Sequence, residues 1–209
     1  MKVWFDNYVE RQAKATLGID KHGFSLVIDE LIETLNRGGT IFVAGNGGSA
    51  ANASHFATDL GKGASDALQR ETGLRNARFK VVSLPDNVSW ITAIGNDYSY
   101  SEIFWQQLKS LASQGDLLIC ISVSGMSLNL LQACLWAQNT GIKVVSLVGR
   151  KNIDDKNCIS KHSETCVVFQ EEHYGRVEDA QMNFLHMLCY YLMENAADVA
   201  KELRRSTDG

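Results

Sequence analysis

The stretch Thr40–Leu60, TIFVAGNGGSAANASHFATDL, decides the fold. Its first six residues form a short apolar, β-branched run, the pattern of a strand buried on both faces of a parallel sheet. Gly45-Asn46-Gly47-Gly48-Ser49 then makes a glycine-serine turn, and Ala50–Leu60 has helical spacing. Strand, turn and helix in this order make half of a βαβ unit. The cycle repeats downstream. Phe79–Leu84, Asp116–Ser122, Ile142–Gly149 and the weaker Thr165–Gln170 are strand-like. Between them, Asn87–Gly95, Tyr100–Ser113 and Met126–Thr140 are helical. Strands alternating with helices imply a parallel sheet covered on both faces, an α/β architecture.

Upstream, residues 2–37 are helical. Apolar side chains recur at Trp4, Phe5, Tyr8, Val9, Ala13 and Leu17, then at Phe24, Val27, Ile28, Leu31, Ile32 and Leu35. Gly18 and Gly23 are expected to divide this segment into two helices, and Arg37-Gly38-Gly39 ends it. Gly61–Arg78 is polar and glycine-bearing, a candidate mobile loop. From Tyr174 to about Arg204 the pattern is one long helix.

Composition narrows the function classes. Apolar residues make up 45% and charged residues 21%, which excludes intrinsic disorder. Twenty basic against 24 acidic residues give a net charge of −4, which argues against a sequence-tolerant nucleic-acid surface. Pro85 is the single proline where roughly ten would be ordinary, in keeping with uninterrupted helices. No apolar run approaches a membrane span and no signal core opens the chain. The five cysteines form no C-x-x-C pair, and Cys120, Cys134 and Cys189 lie in apolar segments. Free thiols in a reducing cytoplasm are expected.

In open parallel sheets, ligands sit at the carboxyl ends of strands. Two loops there carry chemistry. In Gly45–Ser49 the glycines permit close backbone approach, and the following helix presents free N–H groups to an anion. In Ser122-Val123-Ser124-Gly125-Met126-Ser127 three hydroxyls surround one glycine. Neither has the form of a nucleotide P-loop or a dinucleotide fingerprint, and neither holds a lysine. One such loop alone reads as a tight turn with a serine cap. The pair points to a phosphorylated ligand held mainly by neutral donors.

With these residues in hand, the chain resembles the sugar isomerase (SIS) domain family, and within it the phosphoheptose (sedoheptulose 7-phosphate) isomerases. The resemblance is carried by GNGGSAANASHF at 45–56, Gly95-Asn96-Asp97, ISVSGMS at 121–127 and the histidine of the final helix. It covers nearly the whole chain. It implies a single SIS domain over 1–209, with N-terminal helices at 1–37 and, over 38–209, the core and C-terminal helix. The implied core is a three-layer αβα sandwich around a five-stranded parallel, flavodoxin-like sheet.

The resemblance also implies site residues. Ser122, Ser124 and Ser127 would bind the sugar phosphate. Val123 stands where the family has threonine, and Met126 where it has asparagine. Asn46, Gly47 and Gly48, with Ser49 behind them, would contact the sugar, as would Asn96 and Asp97. The family's catalytic pair maps onto Asp59 as base and His186 as acid. His55, Asp59, Glu178 and His186 match the positions that hold zinc. Asp59 is one methylene shorter than the family glutamate, and Glu178 replaces a glutamine. From spacing alone, His55 and Asp59 at i and i+4 read first as a polar pair on a surface helix, and only the resemblance makes them site residues. Arg176 matches a basic position near the substrate, or is an exposed arginine at a helix start. His173 is a candidate to line the site, whereas His22 and His162 are expected at the surface. Homotetramers with sites at subunit interfaces are implied, consistent with apolar residues on several faces of the terminal helices.

The implied activity is aldose–ketose isomerisation of sedoheptulose 7-phosphate to a manno-heptose 7-phosphate. Alternatives are an isomerase for another sugar phosphate and, from a different class, a non-catalytic relative of the same fold that binds the bacterial replication initiator. A sugar-phosphate sensor would need a DNA-binding domain for which this chain has too few residues.

Overall fold

A computed structural model of the chain describes residues 1–74 and 77–207, with side chains at all of these except 202 and 204–207. Among the described residues, five strands form one sheet: β1 (Thr40–Gly45), β2 (Lys80–Ser83), β3 (Leu117–Ser122), β4 (Lys143–Gly149) and β5 (Thr165–Phe169). Their order is β2-β1-β3-β4-β5, and every pairing is parallel. The register places Gly45 beside Ile121 and Ser122 beside Val148, so the strand ends are nearly level.

Side-chain alternation explains the three layers. Along β1, Ile41 and Val43 face one side of the sheet, and Phe42 and Ala44 face the other. Along β3, Leu117, Ile119 and Ile121 join the first set, and Leu118 and Cys120 the second. The first face is covered by α2 (Lys21–Asn36), α3 (Gly48–Thr58) and α8 (Tyr174–Glu194), through Leu31, Phe56 and Phe184. The second is covered by α5 (Val88–Asp97), α6 (Trp105–Leu111) and α7 (Leu128–Asn139), through Ile94, Leu108 and Cys134. Because both faces are covered, the strands read as unbroken apolar runs. All five cysteines are free, and four are buried.

Several element boundaries differ from the sequence expectation. The N-terminal helices α1 (Lys2–Leu17) and α2 separate at Gly18–Asp20, and Gly23 lies inside α2. Asp20 sets this boundary, because its carboxylate accepts from the N–H groups of His22 and Gly23 and caps α2. A side chain at position 23 would meet Val167 of β5 at 3.1 Å, so glycine there serves packing.

The expected loop at Gly61–Arg78 is mostly helical, although residues 75 and 76 lie outside the described residues. A π turn (Asp59–Ala64) runs directly into α4 (Ser65–Thr72), which ends at Gly73 with φ +70°. Leu60, Ala64, Ala67 and Leu68 are buried there at helical spacing. Arg78 braces the turn from outside, donating to Asp66, Gln69 and the Gly61 carbonyl.

Tyr100–Ser113 is a 3₁₀ turn (Tyr100–Glu102) followed by the shorter α6. The final helix breaks at Asn195, where φ −106° and ψ 21° leave the helical region. The Asn195 side chain donates to the Tyr191 carbonyl, and α9 (Ala196–Thr207) starts afresh, returning Val199 and Leu203 to the core.

Candidate active site

A 2-1-3-4-5 strand order has its topological switch between β1 and β3, where the helices leaving the two strands cover opposite faces and a crevice opens. The loops after those two strands are Gly45–Ser49 and Ser122–Ser127. Local packing dictates their shape. Gly47 has φ +56°, and a Cβ on Gly45 would lie 2.5 Å from the Ser49 carbonyl oxygen. A Cβ on Gly48 would lie 2.5 Å from the Glu178 carboxylate. Gly125 has φ +68° and rests on Cys158.

In the serine loop the backbone N–H of Gly125 donates to Ser122 Oγ at 3.0 Å, and that of Met126 to Ser124 Oγ at 3.2 Å. Each oxygen is thereby held from the protein side while its own O–H remains a donor. Ser127 occupies the N-cap of α7, yet its side chain makes no capping bond. The simple reading of a serine cap therefore does not account for Ser127. Behind the loop, the Ser124 carbonyl accepts from Asn152, the Gly125 carbonyl from the N–H of Ile159, and the Val123 carbonyl from the N–H of Gly149.

Asn46, Ser49, Ser122, Val123, Ser124, Ser127 and Glu178 line one small cavity of about 80 Å³, together with Ile121 and Tyr174. Its volume suits a phosphate group rather than a whole sugar. Val123 contributes without a hydroxyl and packs its side chain into the core. Burial, followed by the neighbouring Asp179, raises the pKa of the Glu178 carboxyl. Among the described residues no lysine or arginine lines the cavity, so an anion there would be met by hydroxyls, amides and the N-termini of α3 and α7. A larger cavity of about 290 Å³ lies against Arg11, Lys14 and Arg150. It carries no hydroxyl loop, and Arg150 is already paired with Glu172 at 3.0 Å.

Gly47 and Gly48 sit exposed at the rim. Asn96 and Asp97 are not brought to the cavity. They hydrogen bond to each other at 2.8 Å on the exposed end of α5.

Further along α3 and α8 lies a second cluster. His55 Nε2 is 3.3 Å from Asp59 Oδ2, His186 Nε2 is 3.7 Å from the same oxygen, and the two Nε2 atoms are 3.3 Å apart. The three ligand atoms lie within 4.8 Å of one another. Side-chain exposures of 49%, 33% and 40% leave one side of the cluster open. Asp59 begins the π turn, a helix irregularity that recurs at functional sites. Glu178, expected as a fourth metal position, is not in this group and faces Gly48 and the serine cavity. Cys189 is buried one turn beyond His186. Burial, with Asp59 nearby, pushes its thiol up to about 12, so it stays protonated.

Neither expectation for Arg176 holds. It is buried, donates to Glu171 at 2.9 and 3.3 Å, and stacks over Tyr8 at 5.2 Å. Glu171 also accepts from the N–H groups of Glu172 and His173 ahead of α8. The pair therefore anchors the start of that helix. His173 is exposed, with its ring edge-on to Tyr8. Sequence reasoning missed Tyr174 on the cavity wall, and also Asn129 and Tyr100, whose side chains reach Asn46. Asn129 follows Ser127 by two residues, which is the one signal that could have drawn attention to it.

The chain is similar to known proteins across most of its length. The SIS domain family matches residues 5–149. The phosphoheptose isomerase of Aliarcobacter butzleri (strain RM4018) is 38% identical over 168 residues, which are 76% of this chain and 77% of that one. The probable phosphoheptose isomerase of Thermoplasma volcanium is 33% identical over 183 residues, 88% and 87% of the two chains. The solved phosphoheptose isomerase of Neisseria gonorrhoeae superposes with a TM-score of 0.77 at 25% identity, covering 91% of this chain and 97% of that one. A superposable fold, a family match over residues 5–149, and relatives matched across most of both chains lead to one placement: the chain belongs to the SIS domain family and, within it, to the phosphoheptose isomerases.

Proposed function

We propose that this protein is a sugar-phosphate aldose–ketose isomerase that converts sedoheptulose 7-phosphate to a manno-heptose 7-phosphate. One observation carries the reading: a serine-lined cavity and a His-Asp-His cluster share the same two helices. Ser49 and His55 are six residues apart on α3, a rise of about 9 Å, and Glu178 and His186 are eight apart on α8, about 12 Å. An extended seven-carbon sugar phosphate spans a comparable length. Its phosphate sits among Ser122, Ser124 and Ser127, and its carbonyl end reaches Asp59 and His186.

Asp59 turns Oδ2 to both imidazoles, which leaves Oδ1 to take the proton from C1 of the ketose. His186 protonates O2 as the enediol forms. Return of a proton to C2 and loss of one from O1 give the aldose, with no net change in atoms or electrons. The cluster also fits a zinc ion, since two imidazoles and a carboxylate converge with an open side. His55, Asp59 and His186 would hold it, and the charge stabilisation of the developing oxyanion that it supplies would stand in for the proton that His186 gives when no ion is bound. Glu178 belongs in this reading to the wall of the serine-lined cavity.

The enzyme works as a homotetramer in the cytoplasm, where its thiols stay reduced. A partner that only docks on another protein has no use for a converged acid and base, so the adaptor reading is set aside.

Sedoheptulose 7-phosphate incubated with the protein should yield aldose, followed by reducing-end derivatisation. Asp59→Asn and His186→Gln should each lower kcat by about 10²- to 10⁴-fold. Full turnover in both variants would remove these roles, and no turnover by the wild type on this or other sugar phosphates would remove the function. Zinc is tested separately: the protein should bind about one equivalent per chain, and His55→Ala/His186→Ala should bind none.

A further inference from the structure

The two loops of the switch point are joined by a pair of amides. Asn46 Nδ2 donates to Asn129 Oδ1 at 3.0 Å, and Asn129 Nδ2 donates back to Asn46 Oδ1 at 2.8 Å. The Tyr100 hydroxyl also donates to Asn46 Oδ1, at 3.0 Å. Asn129 is 3% exposed, and its Oδ1 additionally accepts from the N–H of Leu130, so it cannot rotate without breaking several bonds. Asn46 is only half-buried and lines the serine cavity.

An amide oxygen has two lone pairs, and here both are taken. An amide nitrogen has two protons, and one is taken. What Asn46 has left to offer the cavity is a single N–H. We infer that Asn129, with Tyr100, is a positioning residue that locks the Asn46 amide with its N–H toward the substrate. The residue then donates to a sugar oxygen and does not accept from a sugar hydroxyl. A freely rotating asparagine would present either face. The lock turns an ambiguous group into a donor, and it ties the sugar-contacting loop after β1 to the phosphate loop after β3. Substrate oxygens at that point must be acceptors, such as a carbonyl or a hydroxyl whose own proton is used elsewhere.

The chemistry of Asn129→Asp separates this role from mere support of the fold. Aspartate keeps the shape, keeps the acceptor for the Leu130 N–H and keeps the acceptor for Asn46 Nδ2. It loses the donor to Asn46 Oδ1, adds a negative charge and sets a second oxygen against that carbonyl oxygen, so the reciprocal pair is broken and the Asn46 amide is pushed from its seat. Tyr100→Phe removes the second donor from a side chain that is 60% exposed.

The kinetic readout rests on the isomerase reading. A lost or misplaced contact of this kind costs up to about 100-fold. Asn129→Asp and Asn46→Ala should therefore each lower kcat/KM for sedoheptulose 7-phosphate by about 10- to 100-fold. Because Asn129 acts through Asn46, the double variant should fall no further than Asn46→Ala alone. Multiplying losses, or wild-type kcat/KM in Asn129→Asp, would overturn the inference. An independent readout needs no turnover. The Asn46 side-chain amide resonances, assigned by their loss in Asn46→Ala, should shift and exchange faster with solvent in Asn129→Asp and Tyr100→Phe. Unchanged resonances in both would overturn the lock even in an active enzyme. A wild type without turnover would sink the isomerase reading while leaving the resonances to judge the lock.

Discussion

Glu171 and Arg176 show how one buried ion pair can hold the start of a helix that lines the candidate site. Both side chains are under 10% exposed, and the guanidinium meets the carboxylate at 2.9 Å. The Arg176 guanidinium, helped by the N–H groups of His173 and Glu172, holds the Glu171 carboxyl down to about 2. A folded-state pKa below the unfolded one gives stability that is present above the unfolded value and lost as pH falls toward the folded value. The contribution should therefore be complete near neutrality and disappear between about pH 4.5 and pH 2. Arg176→Met removes the main partner of a buried carboxylate, leaving it two N–H donors and Arg11 at 3.9 Å, a change of the kind that costs on the order of 3 kcal/mol. Denaturant unfolding at pH 7 should show a loss of that order, and the loss should shrink at pH 3 as the stranded carboxyl is protonated. A pH-independent loss would mean that Arg176 acts by packing on Tyr8 alone. The pair was hidden from the sequence because glutamate and arginine five apart straddle the start of a helix. Nothing in their spacing says that a tyrosine from α1 closes over them.

At the scale of elements, the serine loop is shaped from behind by the segment between β4 and β5. Asn152 donates to the Ser124 carbonyl at 2.9 Å, Ile159 to the Gly125 carbonyl at 2.9 Å, and Cys158 fills the space where a Gly125 side chain would be. Gly125→Ala should suffer twice, from a positive φ and from a Cβ placed 2.5 Å from the Cys158 sulfur. Asn152→Ala is the gentler test. It removes one bond behind the loop and should raise KM for the sugar phosphate several-fold while kcat changes little. A lowered kcat at constant KM would place the effect at the chemical step instead. The strands and both loops could be read from the sequence because apolar β-branched runs and glycine-serine turns are local signals. Gly61–Arg78 reads as a loop because its glycines and polar residues obscure the buried Ala64, Ala67 and Leu68. The break at Asn195 depends on one side chain bonding a carbonyl four residues back. The Asn46–Asn129 pair joins positions 83 apart and exists only because β1 and β3 are neighbours in the sheet.

At the scale of the whole molecule, the sheet order gathers the chemistry at one crevice and leaves α1 with two unlike faces. Tyr8, Gln12 and Ala15 point inward. Tyr8 lies under Arg176, Gln12 donates to the Arg176 carbonyl, and Ala15 is buried. Phe5 at 60% and Val9 at 48% exposure point outward, one helical turn apart, while Trp4, 68% exposed, lies against Tyr8 at the edge between the two faces. Apolar residues clustered on one face of a terminal helix mark an interaction surface more often than chance exposure. In the proposed homotetramer this face is covered by other copies of the chain. Substituting it should break the assembly while sparing the fold, since a change at an exposed position costs a folded chain only about 0.5 kcal/mol. Sedimentation equilibrium should give a mass near four chains for the wild type and a smaller mass for Phe5→Glu/Val9→Glu, with an unchanged circular dichroism spectrum. An unaltered mass in the variant would move the interface elsewhere, and a monomeric wild type would remove the tetramer. Because α1 packs on the first turns of α8, which carry Tyr174 and Glu178 to the cavity, the dissociated variant should also bind its sugar phosphate more weakly. Raising the protein concentration until the larger assembly re-forms should restore that affinity.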